Sequence, residues 1–158
     1  MPQKQKQGQD TSIDRTKWQP GPWDTEPDLV WSVDAATGLS LLLYRIPCGA
    51  WASLVGIDSQ FRNIALQLQA SYRTRPRHLE IVTFDVKAKH ADKLDLAKLY
   101  VGFMYASLDD ARPAELHYLN MLTEELRQEY APRYVTLAQA TKDAVALAQT
   151  LAAAGVNQ

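Results

Sequence analysis

The sequence predicts an α+β domain: a three-stranded antiparallel meander, a helix, a fourth strand, then three C-terminal helices packed on one sheet face. Three observations predict it. Between Leu29 and Ile57, runs rich in apolar, β-branched and aromatic residues alternate with short turn clusters. From Phe61 the apolar period lengthens to that of a helix. The last third carries further apolar stripes at helical spacing, punctuated by Pro113 and Pro132. With 158 residues, 46% of them hydrophobic and 22% charged, the chain fits one domain with a core of its own.

Residues 1–16 are rich in Gln and Lys and poor in large apolar groups, which predicts a flexible arm ahead of a single α+β domain over 17–158. Leu29–Val33 reads as the first strand and Asp34–Gly38 as its turn. Leu39–Ile46 and Ala50–Ile57 follow as strands, joined by a reversal at Pro47–Gly49, and loops this short make neighbours antiparallel. Phe61, Ile64, Ala65, Leu68 and Tyr72 form one helical stripe behind an Asp58/Ser59 cap. Pro76 ends that helix, and Arg73 and Arg75 suit its negative pole. Leu79–Ala88 alternates as a fourth strand, an edge partner for the meander.

Asp92 to Leu108 places Leu96, Leu99, Tyr100, Phe103 and Met104 on one helical side. Pro113 suits the first position of a second helix, whose stripe runs through Leu116, Leu119, Leu122, Leu126 and Tyr130. Thr136-Leu-Ala-Gln139 has the form of a capping box and opens a third helix, stopped by Gly155.

Several function classes lose support. The net charge of −1 argues against a nucleic-acid coat or a membrane-surface protein. No apolar run reaches the length of a bilayer span, and no apolar secretory leader is visible, which predicts a soluble, cytoplasmic protein. One cysteine, Cys48, cannot form a disulfide within the chain. His78, His90 and His117 lack metal-ligand spacing, and no phosphate-binding glycine loop or nucleophile elbow is present. No metal or cofactor is therefore expected. Cys48 sits in a turn with no histidine brought to it, so a turn residue or small buried thiol outranks a nucleophile. Asp109 and Asp110 read as acids at a helix start, and Glu124 and Glu125, adjacent on a helix, as a solvated face.

The segment Trp18–Trp31 holds three of the four tryptophans together with Pro20, Pro22 and Pro27. Proline excludes a helix interior or central strand there, and the apolar bulk of tryptophan must lie against something. That surface is either a partner or, ranked first, this chain's own core. In the core reading Trp23 and Trp31 plug an open sheet face while Pro20 and Pro22 route the chain across it. Trp31 and Trp51 fall within strands and seal the sheet, whereas Trp18 and Trp23, with Glu26 and Asp28, are the residues to test at an interface. The run Tyr72-Arg-Thr-Arg-Pro-Arg-His78 offers Arg73, Arg75 and Arg77 as a second patch, for an acidic protein or for nucleic acid. A solvated helix end accounts for the same arginines without a ligand.

The pattern Gly21-Pro22-Trp23-x-x-Glu26-Pro27-Asp28, then Thr37-Gly38-Leu39, Arg45, Gly49 and Val55-Gly56, resembles a family of small, uncharacterised phage- and prophage-encoded proteins over residues 21–57. The resemblance implies a phage origin and no activity. Members tend to carry cysteines in the second and third strands, where this chain has Leu41 and Ala52, so no metal or redox role of such cysteines carries over. Together these observations predict a non-enzymatic binding protein, a phage accessory factor acting on a host protein. The alternatives are a nucleic-acid-binding module using the basic arm and the arginine run, and an enzyme with an unrecognised site around Cys48 or His117.

Overall fold

A computed structural model describes residues 5–9, 13–75, 77–82, 98–107, 110–115 and 123–157. The fold is mixed α+β, built on a six-stranded antiparallel sheet of strand order β1-β2-β3-β4-β6-β5. The strands are β1 (Lys6–Gly8), β2 (Leu29–Val33), β3 (Ser40–Arg45), β4 (Trp51–Asp58), β5 (Glu80–Val82) and β6 (Lys98–Met104). The helices are α1 (Arg62–Ser71), α2 (Glu124–Tyr130) and α3 (Leu137–Ala153).

The β2-β3-β4 succession is the expected antiparallel meander, with Val30 opposite Leu43 and Leu43 opposite Ser53. Its first turn closes through Asp34, whose carboxylate accepts from the Thr37 N–H at 3.0 Å and the Thr37 hydroxyl at 2.6 Å. At the second turn Gly49 has φ +88, and a Cβ there would lie 2.8 Å from the Trp18 ring. The left-handed backbone and the indole both exclude a side chain.

Three expectations are corrected. Within the stretch expected to be a flexible arm, Lys6–Gly8 pair antiparallel with β2, Lys6 opposite Trp31. That pairing satisfies backbone groups on the β2 edge, and the Lys6 ammonium sits 5.8 Å from the Trp31 ring centre.

The first of the three expected C-terminal helices is instead strand β6, lying between β4 and β5. Leu99 to Phe103 is buried on both sheet faces. A continuous apolar run of this kind fits helical spacing as well as strand spacing, and here the sheet decides. A Cβ at Gly102 would fall 1.9 Å from the Ser53 carbonyl oxygen, so Gly102 lets β6 approach β4 rather than pack a helix.

The expected fourth strand exists as β5, but it pairs with β6 and not with the meander. Its expected continuation over 83–88 lies outside the described residues. Of the second expected helix, the chain shows a single 3-10 turn at 113–115 and α2; residues 116–122 lie outside the described residues. The last helix is α3, with the Thr136 hydroxyl accepting from the Gln139 N–H at 3.2 Å. The Gln139 side chain reaches forward to Asp143 (2.8 Å) instead of back to the cap.

Alternation sorts the sheet into two faces. One face, including Val30, Leu41, Leu43, Val55, Ile57, Val101 and Phe103, joins Ala65 of α1 and Ala140, Ala144, Leu147 and Leu151 of α3 in the main core. Small alanines let α3 sit close to the sheet, where the Ser53 hydroxyl donates to the Ala140 carbonyl at 2.7 Å. The opposite face holds a second cluster of Leu29, Leu42, Leu54 and Tyr100. No helix among the described residues is long and apolar enough to cross a membrane.

Candidate functional site

The residues singled out by sequence fall into two places. The first is interior. Trp23 is 2% exposed and Asp28 2% exposed, while Glu26 is mostly buried, so these three are not an exposed interface. Proline routes the segment: Pro22 opens a short 3-10 helix, Pro22–Thr25, and the Asp24 carboxylate accepts from the Gly21 N–H at 3.0 Å. This turn points the Trp23 indole inward, where its N–H donates to the Gln19 carbonyl at 2.9 Å. The ring meets Tyr134 edge-on, centroids 5.0 Å apart.

Arg45 stands at the centre. Its side chain is fully buried, and it donates to Asp28 at 3.2 Å, Glu26 at 3.2 Å, the Gly49 carbonyl at 2.7 Å and the Tyr134 hydroxyl at 3.0 Å. Its guanidinium also lies 4.4 Å from the Trp51 ring centre and 5.3 Å from that of Trp18. Arg15 pairs with Asp28 as well and donates to the carbonyls of Trp23 (3.0 Å) and Glu26 (2.8 Å). The carboxylate of Glu26 accepts from the Tyr134 hydroxyl, the Trp51 indole and the Leu137 N–H at the start of α3.

Burial pushes the Tyr134 hydroxyl well above its ordinary range; the Arg45 charge opposes this and the bond to Glu26 adds to it. Arg45 and Asp28 are thus paired away from water, with Glu26 and the quarter-exposed Arg15 completing the set at its edge. That satisfies the condition under which buried charges are tolerated. Trp18 lies partly buried over this cluster; Trp51 is wholly buried and Trp31 half-buried. Trp23, Glu26, Asp28, Arg45 and Gly49 all meet in this one interior cluster.

The second place is at the surface, where the arginine run meets α3. Tyr72, Arg75, Arg77 and Phe103 face Asp143, Ala146, Leu147 and Thr150 across an open groove of about 450 Å³. The three arginines have separate fates. Arg77 is anchored to Asp110 by two parallel bonds of 2.8 and 2.9 Å and stacks 4.4 Å from the Tyr105 ring centre, which makes it a clamp between loop and sheet. Asp110 also accepts from the N–H and hydroxyl of Ser107 (3.1 and 3.0 Å), a role its reading as a helix-start acid did not anticipate. Burial alone would raise the Asp110 carboxyl, but the Arg77 bonds and charge, with Ser107, hold it below the usual carboxylate range.

Arg75 is exposed, and its guanidinium lies 4.4 Å from the Tyr72 ring centre. Tyr72 in turn packs on Phe103, centroids 5.7 Å apart. Arg73 is exposed one turn position away. Across the groove Asp143 accepts from the Tyr105 hydroxyl at 2.7 Å and from Gln139 at 2.8 Å. Burial and the bond to Asp143 raise the Tyr105 hydroxyl far above its ordinary value, so it stays protonated and donating.

The enzyme alternative gains nothing at Cys48. Its thiol is pushed up by burial, with the nearby Arg112 charge too weak to reverse that, the opposite of an activated thiolate. His117 and His90 lie outside the described residues. Among the described residues no group of three or more His, Cys, Asp or Glu side chains is placed to hold a metal ion.

Sequence reasoning gave Arg45 no site role and missed Tyr134, Tyr105 and Asp143. Arg45 carried a usable signal, being the single base in an apolar strand, where burial demands a partner. Comparison with protein-family models, with curated proteins and with solved structures yields no match for this chain. The resemblance over residues 21–57 therefore rests on its own residues.

Proposed function

We propose that this chain is a non-enzymatic binding protein that docks a partner protein in the groove between the end of α1, strand β6 and helix α3. The observation that carries this reading is Arg75, exposed at the groove and stacked on Tyr72, with no acidic partner among the described residues. An aromatic-backed arginine beside an apolar floor is the composition of an interface hot spot. The family resemblance supports a phage accessory factor, whose partner is then a host protein. The Trp/Pro segment serves by holding β2, β4 and the start of α3 together.

A photo-crosslinking amino acid at Thr150, on the groove, compared with one at exposed Ala36 in the β2–β3 turn, tests this. Crosslinks to one discrete protein from Thr150 and not from Ala36 are the expected result. Equal crosslinking from both positions would remove the groove from consideration.

Nucleic acid is a second reading, because exposed Arg73 and Arg75 follow Tyr72 and Arg75 lies over its ring. Two features weigh against it: Arg77 is neutralised by Asp110, and Asp143 faces the groove. Binding of single-stranded DNA that falls steeply between low and moderate salt would favour it over the protein partner.

A further inference from the structure

Resting on the groove as the docking surface, we infer that it takes an acidic residue of the partner beside an aromatic or large apolar one. The carboxylate sits on Arg75 and the apolar side chain lies against Tyr72, Phe103 and Ala146. The hydrogen-bond capacity left in the groove points to where a ligand's charged group sits. Arg77 commits both terminal nitrogens to Asp110 and the Met104 carbonyl (3.3 Å). Both oxygens of Asp143 already accept, one from Tyr105 and one from Gln139. Arg75 is the groove cation whose donors are unspent among the described residues.

That guanidinium lies over the Tyr72 ring and keeps N–H groups that can pair with a carboxylate. A cationic residue would be repelled by Arg75, while Asp143, still charged, already accepts two hydrogen bonds and is held on the α3 side of the groove. The floor is apolar, with Phe103 and Leu147 largely buried beneath exposed Ala146. A volume of about 450 Å³ falls within the range of pockets that enclose small ligands, and suits one or two side chains rather than a whole element.

Capped dipeptides test this by amide chemical-shift titration: N-acetyl-Glu-Phe-amide, its Gln-Phe counterpart and its Lys-Phe counterpart, each against the full chain and against Arg75→Gln. Glu-Phe is expected to shift the amides of Tyr72, Arg75, Phe103 and Thr150 saturably. Gln-Phe should bind about tenfold more weakly, the worth of one charge-assisted pair. Arg75→Gln, a change at an exposed side chain, should reduce Glu-Phe to the Gln-Phe level with the rest of the spectrum unchanged. Equal binding of Gln-Phe or Lys-Phe refutes the acidic ligand while leaving the groove a docking site. Absence of shifts at those amides with all three peptides overturns both.

Discussion

Replacing Arg45 with methionine removes the cation around which the interior cluster is organised. The variant keeps most of the side-chain volume and the contact with the Trp51 and Trp18 rings. It deletes bonds to Asp28, Glu26, the Gly49 carbonyl and the Tyr134 hydroxyl made by a fully buried guanidinium. Asp28 keeps Arg15, and Glu26 keeps the Tyr134 hydroxyl and the Leu137 N–H, so neither acid is stranded completely.

Breaking a buried pair by removing one partner costs roughly 3–5 kcal/mol, and the retained bonds place Arg45→Met at about 3 kcal/mol. Domains are stable by about 5–15 kcal/mol, so the variant folds but melts on the order of 10 °C lower. Urea unfolding followed by circular dichroism measures it, as a lower midpoint at unchanged slope. Arg45→Lys, which keeps charge but loses the planar fork, should fall between the two. A loss below about 1 kcal/mol for Arg45→Met would refute the claim that these charges are interdependent.

Three further outcomes are expected. Trp23→Ala should cost about 3–5 kcal/mol in the same assay through the cavity left beside Tyr134, a surface change costing far less. Gly102→Ala should prevent stable folding, because its Cβ collides with the backbone of β4; a soluble, cooperatively melting variant would contradict the β4–β6 register. Asp110 has its pKa lowered on folding, so its stabilising contribution is present above the unfolded value near pH 4 and is lost as pH falls through the lower folded one. Melting curves across this acid range should show Arg77→Gln losing less stability on acidification than the parent chain; equal losses would show that the pair does not set it.

Local chemistry made the meander and α3 legible. Asp34, Thr37 and Gly49 close their turns through contacts within five residues, and Thr136 caps its helix three residues on. β6 was not legible because both its faces are buried, which erases the alternation that distinguishes a strand from a helix. The interior cluster was half legible: Trp23 read as a plug for the sheet or as an interface, whereas Glu26 and Asp28 stood out only as an interface. What makes them core is Tyr134, which lies 108 residues from Glu26 along the chain and leaves no local trace. At the groove, the arginine run was visible, whereas the division of labour between Arg75 and Arg77 depends on Asp110, 33 residues away from Arg77.

The central claim is that the aromatic segment serves the fold and the exposed arginine serves recognition. Charge reversal at Arg75 separates them most directly. Lysate proteins captured on the parent chain and on Arg75→Glu are compared by mass spectrometry, with the melting curve of each recorded. The expected result is that a protein held by the parent is lost from Arg75→Glu while the melting temperature stays the same. Retention of that protein by a fully folded Arg75→Glu would contradict the claim.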